Sequence, residues 1–108
     1  MKFSSELLKG STKNLLLSIL ADKELYGYEI IKELRRRSKD VLDLAEGSVY
    51  PALHELEKHE LLASRWVQQD NTPDRKYYRI SKKGKKQLAT AKQEWKTFSR
   101  AVNLIFES

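Results

Sequence analysis

The stretch Glu46-Gly47-Ser48-Val49-Tyr50-Pro51-Ala52-Leu53-His54-Glu55-Leu56-Glu57 decides the fold. Its apolar positions recur at helical spacing, and it carries one proline. A proline ring lacks an N–H and collides with the carbonyl four residues back, so it belongs in an opening turn, where N–H groups have no partner. The helix is therefore predicted to start near Gly47 or Ser48 and to end near His59 or Glu60. At about 100° per residue, Val49, Ala52, Leu53, Leu56 and Leu61 turn inward, while Pro51, His54, Glu55 and Lys58 turn outward. A helix that buries one face and offers its polar N-terminal half, placed after a second helix and a short turn, has the layout of a helix-turn-helix.

Upstream, Leu7-Leu8 precede a break at Gly10-Ser11, and Ser11 or Thr12 can cap the helix that follows. That helix, Lys13 to Ala21, carries Leu15, Leu16, Leu17, Ile19 and Leu20 on nearly every side, so burial on more than one face is expected. Asp22-Lys23-Glu24 connects it to a helix from about Gly27 to Arg37, with Gly27, Ile30, Ile31 and Leu34 on one side. Ser38 to Glu46 reads as a turn with a short extended piece at Leu42-Asp43-Leu44.

Downstream, the period changes from helical to alternating. Leu62–Gln69 and Arg75–Ser81 are rich in aromatic and β-branched residues and flank Asp70-Asn71-Thr72-Pro73, which predicts a β-hairpin. Tyr78 and Ile80 alternate with Tyr77 and Arg79, so one face can pack while the other stays wet. Ser81 caps a last helix running to about Phe106. Leu88, Ala91, Trp95, Phe98, Val102 and Ile105 alternate in steps of three and four along it, an a/d seam. Such a stripe can pack on the chain's own core. Yet the helix would be about 37 Å long at 1.5 Å per residue, too long for a domain of about 75 residues to cover, so a second copy is the expected cover. The reading is a mainly α fold with a small β-hairpin: a winged helix-turn-helix over residues 1–81 and a long C-terminal dimerisation helix over 82–108.

Composition agrees. The 108 residues are 40% hydrophobic and 33% charged, as an ordered single domain requires, and contain no cysteine for a disulfide or thiolate metal site. The N-terminus lacks a signal-peptide pattern and no apolar run suits a membrane span, so a cytoplasmic protein is expected. The net charge is +6 and the pI near 9.6, the footprint of a polyanion binder. Arg75, Lys76, Arg79, Lys82, Lys83, Lys85 and Lys86 form a run without an acidic residue, and Arg35, Arg36, Arg37 and Lys39 form a second cluster. Either could be a solvated surface; together, flanking a helix-turn-helix, they favour phosphate contact. Catalysis finds no support. His54 and His59 are five apart, whereas two zinc-binding histidines on one helix face need four. The glycines form no phosphate-cradling loop, and neither a metal nor another cofactor is expected.

The chain resembles the PadR family of transcriptional regulators. The resemblance rests on Leu25-Tyr26-Gly27-Tyr28-Glu29-Ile30, on Glu46-Gly47-Ser48-Val49-Tyr50-Pro51-Ala52-Leu53, on Arg75-Lys76-Tyr77-Tyr78-Arg79-Ile80-Ser81 and on Glu94-Trp95. It spans about Leu7 to Phe106. One departure is Glu60-Leu61, where the family has Gly-Leu. The resemblance implies a winged-helix homodimer, mostly a repressor, of the subfamily with a single C-terminal helix.

In a dimeric helix-turn-helix the third helix enters the major groove of an operator in double-stranded DNA. Here that places Ser48, Tyr50, Pro51 and His54 near base edges. Glu55 can accept from a cytosine amino group, and Tyr50 and Pro51 can touch a thymine methyl. Tyr50 could instead be partly a packing residue. Phosphate contacts are expected from Lys58, Arg75, Lys76 and the cluster around Arg36. Leu88, Ala91, Trp95, Phe98, Val102 and Ile105 are the expected dimer interface. Trp95 also matches the position at which multidrug-sensing relatives hold a tryptophan between subunits, which makes it the candidate ligand-binding residue for a small aromatic effector. A plain role on the seam is the alternative for Trp95. A winged-helix protein-interaction module without promoter binding is the alternative for the whole chain.

Overall fold

The computed structural model describes residues 2–108. Helix α1 (Ser5–Lys9) opens under Ser4, whose Oγ accepts from the Leu7 N–H at 3.3 Å, and ends at Gly10. Helix α2 (Thr12–Ile19) follows at once. Neither predicted cap forms: Ser11 makes no side-chain cap bond, and the Thr12 hydroxyl donates backward to the Leu8 carbonyl at 2.8 Å. Leu16, Leu17, Ile19 and Leu20 are all buried, as a helix apolar on most sides must be.

Strand β1 (Leu25–Tyr26) leads directly into α3 (Gly27–Arg37). The Tyr26 N–H donates to Glu29 Oε1 at 3.2 Å, tying the first turn of α3 to the strand. Helix α4 (Glu46–Lys58), strands β2 (Leu62–Val67) and β3 (Arg75–Ile80), and the 25-residue helix α5 (Lys82–Phe106) complete the order. The antiparallel sheet runs β1-β3-β2, with Leu25 opposite Tyr78 and Ser64 opposite Tyr78 on the other side. The described residues form a winged helix with five helices and a three-stranded sheet.

Two points go beyond the expectation. First, the piece at Leu42–Leu44 pairs with no strand among the described residues. Both edges of β3 are taken, one by β2 and one by the unforeseen β1, and the Leu42 N–H goes to Ser38 Oγ at 2.9 Å. Second, α4 begins at Glu46, so Pro51 is its sixth residue and stands inside the helix. The ladder loses the bond to the Gly47 carbonyl, which is tolerable because Gly47 is exposed and its carbonyl can meet water.

Leu16, Leu17, Ile30, Val49, Leu53 and Leu56 form the centre of the core, closed from the sheet side by Leu62 and Tyr78. Leu88, on the second turn of α5, joins the same core. Beyond it α5 leaves the domain, and the molecule measures 59 × 31 × 20 Å.

Candidate nucleic-acid interface

Helix α4 presents Ser48, Pro51, His54 and Lys58 to solvent, while Val49, Leu53 and Leu56 fix it on the core. Tyr50 is not on that outward surface. It is half-buried against the core, its ring lying over Gly27 at the start of α3, where a Cβ would come within 3.0 Å of it. Burial, then the Glu46 carboxylate, pushes its phenol pKa up. Gly27 is therefore the notch that receives Tyr50 and sets the approach of α3 to α4.

The acidic residues of α4 are largely occupied within the protein. Glu55 Oε1 lies 2.8 Å from His59 Nε2, and this hydrogen bond, against some desolvation, holds the Glu55 carboxyl below its ordinary range. Glu57 accepts from the Ser64 hydroxyl of β2 and from Lys76 Nζ of β3 at 2.9 Å. These bonds, Ser64 first, lower its carboxyl pKa. The Glu57 charge is thus matched by Lys76 within the protein, which eases the approach of a polyanion to that part of the helix.

The basic residues divide into engaged and open. Lys76 is held by Glu57 and sits over the Tyr78 ring, so it is not a free cation at the wing. Arg36 donates to Glu33 at 2.6 and 3.1 Å, and Arg37 shares that carboxylate at 3.0 Å. The Arg36 bond is the main cause of a Glu33 carboxyl pKa lowered to about 2. Arg65 forks onto Glu24. The Arg75 guanidinium lies 4.4 Å from the centre of the Tyr26 ring, stacking the start of β3 on β1, and no ion pair among the described residues involves it. Lys58 is exposed, and no ion pair among the described residues involves it.

Period two in β2 puts Trp66 on the same face as Ser64 and opposite Lys76, 67% exposed. The wing thus carries an exposed aromatic residue on the side of the sheet that faces α4, a placement that the alternation of β2 alone makes legible.

On α5 the apolar stripe divides. Leu88 belongs to the chain's own core at 7% exposure, whereas Trp95, Phe98 and Ile105 are 58%, 62% and 72% exposed. Ala91 and Val102 are intermediate. Trp95 and Phe98 lie 6.4 Å apart, centroid to centroid. Trp95 therefore stands open on the stripe in the single chain.

The Transcriptional regulator PadR-like family model matches residues 16–90, from the core of α2 into α5. The chain belongs to the PadR-like family of transcriptional regulators. Its PadR fold is shared with solved structures along nearly the full length. A PadR-like transcriptional regulator from Bacillus cereus is 35% identical, with 96% of this chain and 99% of that one covered at a TM-score of 0.80. A PadR family transcription regulator from Clostridium difficile is 36% identical, covering 90% and 99%, at 0.77. A transcriptional regulator from Clostridium thermocellum is 29% identical, covering 94% and 96%, at 0.85. DNA-binding regulation of transcription is the function this membership carries. Among the described residues, no helix is long and apolar enough to cross a membrane.

Proposed function

We propose that this PadR-family regulator is a cytoplasmic homodimeric repressor that reads an operator with the outward face of α4. Ser48, Pro51 and His54 meet base edges; Lys58 and Arg75 meet phosphates. Lys76 and Arg36, engaged by Glu57 and Glu33, act as struts, and Tyr50 packs. Residues 1–81 form the DNA-binding unit, and residues 82–108 carry the dimer seam through Ala91, Trp95, Phe98, Val102 and Ile105. The observation that carries the reading is the uncovered face of α4, beside which Glu57 is paired with Lys76. The open pair Trp95 and Phe98 supports a small planar aromatic effector held between the subunits.

Selection of bound sequences from a random duplex library with the purified chain tests it. Enrichment of a two-fold symmetric site with half-sites about 34 Å apart is expected. Absence of enrichment, with the fold intact, overturns it in favour of a protein-interaction module.

A further inference from the structure

A groove of about 540 Å³ runs between the N-terminal helix pair and α4. Lys9, Lys13 and Leu8 line one side; Ser48, Pro51 and Glu55 line the other. Leu8, together with Ala52 of α4, gives it an apolar floor that rests on the core. The corner carrying the two lysines is fixed: the Leu8 carbonyl accepts from the Ser11 N–H at 3.0 Å and from the Thr12 hydroxyl at 2.8 Å.

Both lysines are exposed, and no ion pair among the described residues involves either. Glu55, the one acid among the described residues that line the groove, is hydrogen-bonded to His59 and feels the Lys13 charge without pairing with it. The groove therefore offers two lysines without an ion-pair partner above an apolar floor. A single DNA strand has the complementary character, with one negative charge per about 3.4 Å and apolar sugar faces between the phosphates. Ser48 and Pro51 also belong to the outward face of α4. A strand whose bases met them would have its backbone beside them, on the side where Lys9 and Lys13 stand.

We infer that this groove holds the sugar–phosphate backbone of one DNA strand, with Lys9 and Lys13 as phosphate contacts flanking α4 opposite the wing. The inference rests on the DNA-reading function proposed above. An acidic protein segment would satisfy the lysines but would leave unexplained why the groove shares Ser48 and Pro51 with the reading face.

The test uses the full chain and a random-sequence 30-base-pair duplex, with affinity followed by anisotropy across salt concentrations. Lys9→Gln/Lys13→Gln is expected to lower the salt slope by about two units per bound protomer and to weaken binding at 0.1 M salt about tenfold or more. Lys92→Gln/Lys96→Gln, which removes the same charge from exposed positions of α5, is expected to change the slope little. Equal losses from both pairs would overturn the groove and leave only net charge. Wild-type binding that the first pair leaves unchanged would overturn the groove alone. A wild-type chain that binds no duplex would remove the groove together with the DNA reading. Lysine acetylation read by mass spectrometry needs no variant. Duplex should protect Lys9 and Lys13, whereas protection by a polyglutamate peptide and not by duplex would assign the groove to an acidic protein and overturn the proposal.

Discussion

Lys76 Nζ on β3 lies 2.9 Å from Glu57 Oε1 on α4, so a cation of the wing braces the helix beside it. Ser64 donates to the other carboxylate oxygen, which leaves the three groups mutually satisfied at a half-buried site. Removing one partner strands the other. Lys76→Met is expected to reduce stability by about 1 kcal/mol, less than a fully buried charged hydrogen bond because the pair is partly solvated. Glu57→Gln in that background should recover part of the loss, and strictly additive effects in the cycle would show that the brace does not form in solution. The pH dependence has two sides. The Glu57 carboxyl is held below its ordinary 4.5, so its contribution is present above that value and is lost as pH falls through the lower, folded-state one. Lys76, chiefly through its bond to Glu57, is raised above 10.5, so its contribution is present below that value and is lost as pH climbs through the folded-state one. Thermal unfolding of wild type and the double variant should therefore differ most between these limits.

Glu60 adopts φ 63°, the left-handed region that side chains avoid. It sits just past α4, where the Glu60 N–H bonds to Glu57 O and the Leu61 N–H to Leu56 O, both at 2.9 Å, a Schellman closure. The sequence carries Glu60 where the resemblance placed a glycine, and the geometry gives that departure its meaning. Glu60→Gly should raise stability by about 1 kcal/mol without changing DNA affinity. A lowered denaturation midpoint would show that the Glu60 side chain contributes more than its backbone conformation costs.

Much of the fold was legible because each element carries its own periodicity. The bounds of α3 and the end of α5 follow from apolar spacing and charge alone. What stayed hidden depends on contacts distant in sequence. The two residues of β1 are too short to show a period and become a strand only because β3 offers an edge. α4 starts earlier than its proline implies, because a proline four residues after an exposed glycine is tolerated deeper than the opening turn. At the interface, residue type identified the cations but not their partners. Glu57 and Lys76, 19 apart in sequence, meet only once the wing has folded. Tyr50, one residue from outward-facing Pro51, is turned inward by the notch at Gly27.

Two glycines mark close approaches of different hardness. A Cβ on Gly84 would run into the Leu61 carbonyl, which already accepts from the Ser81 N–H at 3.1 Å. Backbone cannot move aside there without opening the junction between β2, β3 and α5. Gly84→Ala is therefore expected to destabilise by about 3 kcal/mol, more than offsetting the gain in helix propensity. On Gly27 the obstacle is the Tyr50 ring, a side chain, so Gly27→Ala should be milder, about 1–2 kcal/mol, and Tyr50→Leu should relieve it. Chemical denaturation of Gly84→Ala, Gly27→Ala, Tyr50→Leu and Gly27→Ala/Tyr50→Leu checks the order. Tyr50→Leu alone should weaken binding to operator and to random duplex alike, because a packing residue carries no base preference; a selective loss on the operator would return Tyr50 to the reading surface.

The exposed stripe on α5 sets the last expectation. Leu88 is in the protomer's own core, so a truncation that removes it would confound unfolding with dissociation. Charges placed farther along avoid this, because Trp95 and Phe98 are more than half exposed in the single chain. Trp95→Glu/Phe98→Glu should keep the helical spectrum and cooperative unfolding yet sediment as a monomer. The midpoint of wild-type unfolding should rise with protein concentration, and that of the variant should not. Operator binding should fall by about 10²–10⁴-fold, because two half-sites about 34 Å apart no longer share one tethered reader, while each protomer's weak grip on random duplex survives. A variant that still sediments as a dimer would place the interface elsewhere on the molecule.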